Sequence, residues 1–142
     1  MRIGKVVIAS DHAGFKLKET IKKFLIKKRK KVLDLGTDST SSVDYPVYAH
    51  LLSKKIKKNN QFGILVCGSG AGMYMAANRH KNVRAALCYN VQSTKLSRLH
   101  NNANVMTIGA RLVNKNVALQ CVNTFIQTDF LGGRHLRRVK KI

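Results

Sequence analysis

Five short apolar runs punctuate the chain. They are Lys5-Val6-Val7-Ile8-Ala9, Lys31-Val32-Leu33-Asp34-Leu35, Ile64-Leu65-Val66, Val83-Arg84-Ala85-Ala86-Leu87-Cys88 and Val105-Met106-Thr107-Ile108-Gly109. Runs of this length without strict alternation suit strands covered on both faces of a parallel sheet. Between them the spacing turns helical. Phe15 to Arg29 places Leu17, Ile21, Phe24 and Leu25 on one stripe with lysines opposite. Val47 to Lys57 follows Asp44-Tyr45-Pro46, where a proline fits a first helical turn. Met73 to Asn78 starts a third helix, and Val91 to His100 carries Leu96 and Leu99 inward. Leu112 to Thr128 is the last long helix, with Val113, Val117, Leu119, Val122, Phe125 and Ile126 apolar. Strands alternating with helices across short loops predict an α/β fold: a three-layer α/β/α sandwich around a five-stranded parallel sheet. No internal repeat or linker divides the 142 residues, so one domain spans 1–142.

In a parallel sheet the C-terminal strand ends share one edge, and there open α/β folds bind ligands. Four of those ends are polar or reactive: Asp11-His12, Gly36-Thr37, Cys67-Gly68-Ser69 and Gly109-Ala110-Arg111. The stretch Cys67-Gly68-Ser69-Gly70-Ala71-Gly72 leads from strand to helix through a Gly-rich turn. Such a turn offers backbone N–H groups to an anion and favours a thiolate at its mouth. It equally suits a tight turn beside a buried cysteine. Asp11 reads as a reactive carboxylate or a helix N-cap, His12 as a ligand or an exposed loop histidine, Tyr45 as a loop anchor or a ligand lid. Cys88 has no charged neighbour and reads as structural. Arg134 and Arg138, four apart after Gly132-Gly133, would share a face of a helical tail and could fork a phosphate.

Charge adds a competing picture. The net charge is +21, which invites a nucleic-acid partner. The lysines, however, cluster at predicted helix ends, at Lys22 to Lys31 and at Lys54, Lys55, Lys57 and Lys58, where they complement the dipole and stay solvated. Aromatic residues are few and do not interleave with them. Glu19 is the single glutamate, so the bias is one of composition more than of a local patch. Cys67, Cys88 and Cys121 are widely spaced and form no CxxC pair, which argues against a disulfide framework or a zinc site. No HxxxH spacing provides metal ligands, and no GxGxxG follows the first strand, so neither a metal nor a dinucleotide is expected. No run of about 18 apolar residues predicts a membrane span. Met1-Arg2-Ile3-Gly4 leads straight into a strand without signal-peptide layout, which points to a reducing cytoplasm.

Five segments, in order and spacing, carry a resemblance over nearly the whole chain: Ser10-Asp11-His12-Ala13-Gly14-Phe15, Asp44-Tyr45-Pro46, Cys67-Gly68-Ser69-Gly70-Ala71-Gly72, Leu96-Ser97-Arg98-Leu99-His100-Asn101 and Gly132-Gly133-Arg134-His135-Leu136-Arg137-Arg138-Val139. The chain resembles the ribose-5-phosphate isomerase B family, which also holds the galactose-6-phosphate isomerase subunits. The resemblance implies a Rossmann-like sheet of strand order 2-1-3-5-4 and a cofactor-free aldose–ketose isomerase of the pentose phosphate pathway. It implies a homodimer, sometimes paired into a tetramer, with shared active sites and with the tail 129–142 at the dimer interface. Carried over residue by residue, it gives Cys67 as the base forming a cis-enediolate and His100, aided by Asp11, as the ring-opening group. The N–H groups of Gly68, Ser69, Gly70, Ala71 and Gly72, with the Ser69 hydroxyl, would hold the enediolate oxygen. His12, Arg134 and Arg138 would bind phosphate, with Arg111 and Asn101 as additions and Tyr45 against the sugar. Ser69 stands where threonine is common in the family; Cys67 follows the branch that does not use a nearby glutamate. A galactose-6-phosphate or allose-6-phosphate isomerase, a cysteine-nucleophile hydrolase and a basic nucleic-acid-binding α/β protein are the rival readings.

Overall fold

The computed structural model describes residues 4–57 and 60–142. Met1 to Ile3, which lead into the first strand, and Lys58, expected at the end of the second helix, lie outside the described residues. Five strands form one parallel sheet: β1 (Lys5–Ser10), β2 (Val32–Asp34), β3 (Gln61–Cys67), β4 (Ala85–Leu87) and β5 (Val105–Gly109). Their order is β2-β1-β3-β5-β4, the order that the family resemblance implied. The helices are α1 (Phe15–Lys27), α2 (Tyr45–Lys55), α3 (Ala71–Ala77), α4 (Val91–Asn101), α5 (Lys115–Gln127) and α6 (Arg134–Val139).

The apolar runs are continuous because both sheet faces are buried. In β1 and β3, Val6, Ile8, Ile64 and Val66 face one side, packed against Ile21 and Leu25 of α1 and Val122 and Phe125 of α5. Val7, Ala9, Leu65 and Cys67 face the other, packed with Ala49 and Leu52 of α2 and Met73 and Ala77 of α3. The two-residue period of the strand splits one run between two cores. It also aims Cys67 at the α2–α3 layer. The β4 edge is closed by a side chain: Ala85 N–H donates to Asn78 Oδ1 at 2.8 Å, and Asn78 Nδ2 donates to the Ala85 carbonyl at 3.0 Å.

Several expectations need correcting. Leu96 is not inward; it is 40% exposed, and α4 buries Thr94 and Arg98 instead. Arg98 can be buried because carbonyls and two phenyl rings receive it, as set out below. The lysines of α1 are not all on its outer face. Lys18 is buried, and its ammonium donates to Asp34 at 2.7 and 2.9 Å and to Glu19 at 2.9 Å. Lys22 joins the same two carboxylates. Burial alone would raise the Asp34 carboxyl, but donation from Lys18, Lys22 and the Gly36 N–H holds it below its ordinary value. The last long helix starts at Lys115, not Leu112, because the Asn114 side chain accepts the Val117 N–H and caps it. Leu112 is left in a turn, 73% exposed. Helix α2 starts two residues early, at Tyr45, with Pro46 in its first turn. Cys88 lies just beyond β4, buried, with its thiol pushed up to about 12 chiefly by desolvation.

Helix α1 ends in a Schellman motif. Arg29 N–H donates to Ile26 O at 2.8 Å and Lys30 N–H to Leu25 O at 3.0 Å. The motif needs a left-handed residue, usually glycine; here Arg29 takes it, at φ 59°.

Candidate active site

Strands β1 and β3 are neighbours, with Ser10 beside Val66. The residues that follow them therefore meet. Asp11, His12, Ala13, Tyr45, Cys67, Gly68, Ser69, Gly72, Arg111 and Leu112 line one cleft of about 450 Å³ at the C-terminal edge of the sheet. The loop after β5 is sewn to the Cys67 turn: Ala110 N–H donates to Cys67 O at 2.8 Å and Arg111 N–H to Gly68 O at 3.0 Å. This lays the Arg111 side chain over Gly68. Gly36-Thr37, the fourth polar strand end, falls in a separate depression with Lys18, Lys22 and Asp34.

Cys67 is 4% exposed, and Gly70 N–H donates to its sulfur at 3.2 Å. Gly70 can turn the chain this sharply because it sits at φ 79°, and a Cβ there would lie 3.0 Å from the Gly109 backbone. Ala71 N–H donates to Ser69 Oγ at 3.2 Å. The hydroxyl thus accepts from the backbone and keeps its own proton to donate into the cleft. Gly70 and Ala71 do not line the cleft. Their N–H groups are spent on the sulfur and on Ser69, which corrects the expectation of five backbone donors for a substrate oxygen. Gly68, Ser69 and Gly72 do line the cleft.

Asp11 is not the N-cap of α1, a position that Gly14 holds. One oxygen, Oδ1, accepts the Gly14 N–H at 3.0 Å and fixes the turn before α1, while the residue lines the cleft. His12 Nδ1 accepts the Val43 N–H at 3.1 Å. The neutral ring therefore carries its proton on Nε2, where it can donate to an anion. Tyr45 opens α2 and lies across Gly72, where an added Cβ would sit 2.5 Å from its ring. Leu112 also lines the cleft and was not anticipated. The signal was Asn114, an N-cap residue that places Leu112 in the loop before the helix.

The remaining expected residues lie elsewhere in the protomer. His100 and Asn101 end α4, which runs back from the cleft edge for 11 residues, about 16 Å at 1.5 Å per residue. His100 stacks on His135 of α6, with ring centroids 4.3 Å apart and planes 14° from parallel. Arg134 and Arg138 share that short helix. Desolvation, then the positive charges of His100, Arg134 and Arg138, hold His135 below its ordinary value. A second cluster of His100, His135, Arg134 and Arg138 is thus gathered by α4 and α6, none of them lining the Cys67 cleft, while Asn101 lines a separate depression with Arg84 and Ser97. Among the described residues no group of three or more His, Cys, Asp or Glu could hold a metal ion. No described helix is long and apolar enough to cross a membrane.

The Ribose/Galactose Isomerase family model matches residues 6–142. The chain belongs to this family. A ribose-5-phosphate isomerase B from Escherichia coli is 37% identical over 97% of this chain and 93% of its own. Among solved structures, the ribose 5-phosphate isomerase B of Anaplasma phagocytophilum superposes with a TM-score of 0.95 at 45% identity, covering 99% of this chain and 97% of that one. The ribose-5-phosphate isomerase B of Mycoplasma genitalium, solved with bound ribulose-5-phosphate, gives 0.94 at 41% identity, covering 99% and 95%.

Proposed function

We propose that this isomerase interconverts ribose 5-phosphate and ribulose 5-phosphate. The observation that carries the reading is the cleft: a cysteine sulfur held by a backbone N–H, with a carboxylate, an imidazole Nε2, a hydroxyl and a guanidinium around it. The relative solved with ribulose-5-phosphate supports the substrate. The sugar arrives as a ring. His100 and Asp11 move protons between the anomeric hydroxyl and the ring oxygen, which frees the aldehyde. Cys67, as its thiolate, then takes the proton from C2, and the carbonyl oxygen takes up the negative charge. Passage of the O2 proton to O1, with return of a proton to C1, completes the ketose. Donors aimed at the oxygen of the cis-enediolate are worth about 3–4 kcal/mol each; the Ser69 hydroxyl and the turn's N–H groups suit that task. His12 Nε2, Arg111, Arg134 and Arg138 suit the phosphate.

The second group does not line the Cys67 cleft of its own protomer, so a complete site takes Cys67, Asp11, His12, Tyr45, Ser69 and Arg111 from one chain. His100, Asn101, Arg134 and Arg138 come from a second copy. A homodimer, alone or paired into a tetramer, meets this need, with the tail 129–142 at the interface. Free, buried cysteines fit a reducing cytoplasm.

Proton NMR with ribose 5-phosphate in deuterated water tests the reaction: ribulose 5-phosphate should form with deuterium beside the carbonyl. A folded protein that converts neither this sugar nor galactose 6-phosphate or allose 6-phosphate refutes it. Cys67→Ala should cut turnover by about 10²–10⁴-fold, the range for a lost general base, with phosphate-ester binding kept. Mixing inactive Cys67→Ala and His100→Ala proteins tests the shared site. Random exchange makes half the dimers mixed, each with one of two sites intact, so about a quarter of wild-type activity should return. No recovery after proven exchange would return both clusters to one chain.

A further inference from the structure

Arg98 is the largest of the fully buried side chains, at 0% exposure. Its guanidinium hydrogen-bonds to two segments. Nε donates to the carbonyl of Thr128, just past α5, at 3.0 Å. Nη1 donates to Asn102 Oδ1 at 3.0 Å and to the Ala103 carbonyl, both in the turn out of α4. The guanidinium carbon lies 4.5 Å from the Phe62 ring centroid and 5.6 Å from that of Phe125. Burial pulls the group down to about 10, with the charge of Asp129 opposing the fall, so it stays cationic at neutral pH.

The two chain segments held here are the two that carry the second cluster. His100 lies two residues beyond Arg98 on α4. The segment from Thr128 runs to Leu131, whose N–H donates to Leu99 O at 3.1 Å, and on into α6. Resting on the reading of His100, Arg134 and Arg138 as site residues, we propose that Arg98 is a positioning residue. It bolts the end of α4 to the start of the tail, so that the ring-opening histidine and the phosphate-binding arginines reach the neighbouring cleft as one rigid unit. Arginine suits this because its planar fork meets carbonyls on separate segments at once, which a point ammonium cannot do. The flat cation also lies against two phenyl rings, a geometry that attracts it to their π faces.

The test uses the full-length protein with Arg98→Lys and Arg98→Met. Two readouts are taken: kcat and KM with ribose 5-phosphate, and the imidazole NMR signals of His100 and His135, whose stacking imposes mutual ring-current shifts. Both variants should lower kcat/KM at least tenfold, through both constants, and lose the ring-current shifts. Alkylation of Cys67 by iodoacetamide should stay within twofold of wild type, since the cleft is untouched. Retained shifts with lost activity, or lost shifts with kcat/KM within twofold, would overturn the proposal. If neither variant folds, Asn102→Gly decides. Asn102 is left-handed at φ 48°, so glycine keeps the backbone and deletes only the acceptor. It should move both readouts the same way by a smaller amount, and no change in either sinks the idea. A wild-type protein lacking isomerase activity would refute the functional reading, while the histidine signals would still report whether Arg98 sets the geometry.

Discussion

The contact between Gly72 and Tyr45 offers a sharp test of how the cleft is built. In Gly72→Ala the new Cβ would stand 2.5 Å from two carbons of the Tyr45 ring and 3.0 Å from its hydroxyl oxygen. Carbon atoms in contact sit about 3.5 Å apart or more, so the ring must withdraw by about 1 Å. It can do so cheaply, because Tyr45 is exposed at the cleft rim. Alanine also favours a helix over glycine by about 1 kcal/mol, and position 72 is in the first turn of α3. The thermal midpoint should therefore change by less than about 3 °C, the shift from 1 kcal/mol in a domain of this size. Activity should respond far more, since a displacement of about 1 Å at a substrate-positioning group can cost up to 10²-fold. The assay is a double-mutant cycle on kcat/KM with Gly72→Ala, Tyr45→Ala and the pair. Gly72→Ala should lower kcat/KM about ten- to a hundredfold in the wild-type background and have almost no effect beside Tyr45→Ala. An undiminished effect without the tyrosine ring would show that the methyl acts on the turn itself, and the steric argument would fall.

Three further outcomes follow from packing and charge. Arg29→Gly should stabilise the protein by about 1 kcal/mol in urea unfolding, the usual cost of a side chain in the left-handed region, and unchanged or lower stability would contradict the Schellman reading. Asp34→Ala strips the main partner from buried Lys18 and should cost about 2–4 kcal/mol, discounted slightly for the exposure of the carboxylate. Lys22→Ala, at a pair about a quarter exposed on each side, should cost less than about 1 kcal/mol; equal losses would refute the distinction. His80, hydrogen-bonded to His50 at 2.7 Å, is held below its ordinary value of 6.5 by desolvation and by the charges of His50 and Lys54. A depressed histidine favours folding above pH 6.5, and that contribution is lost as pH falls through its folded value. Stability measured by urea unfolding should fall below pH 6.5, and less steeply in His80→Gln. Glu19, lowered by Lys22 and Lys18, and Asp34 add a second loss as pH falls below their ordinary values of 4.5 and 3.8.

The sheet was legible because doubly buried strands write themselves as unbroken apolar runs. One half of the site was legible for a related reason. Asp11, His12, Cys67, Ser69 and Arg111 each follow an apolar run, and a parallel sheet sends all such ends to one edge. The residues proposed as the other half could be named through the family pattern but not placed. His100 ends α4 and Arg134 opens α6, neither lines the Cys67 cleft, and no spacing along the chain discloses that. Lys18 was misjudged, and the burial of Arg98 went unread, because hydropathy is assigned residue by residue. Their burial depends on partners distant in sequence: Asp34, 16 positions on, and Thr128, 30 positions on. A charge becomes a core residue only when the fold delivers its acceptors.

The side chain of Asn78, bonded to both the N–H and the C=O of Ala85, has a consequence for the cell as well as for the fold. An edge strand with free backbone groups is a template on which another chain can polymerise. Here a carboxamide mimics the peptide group of a missing neighbour at Ala85, so the N–H and C=O that β4 would offer there are already taken. Such capping, on a strand of only three residues, opposes the addition of a sixth strand beside β4.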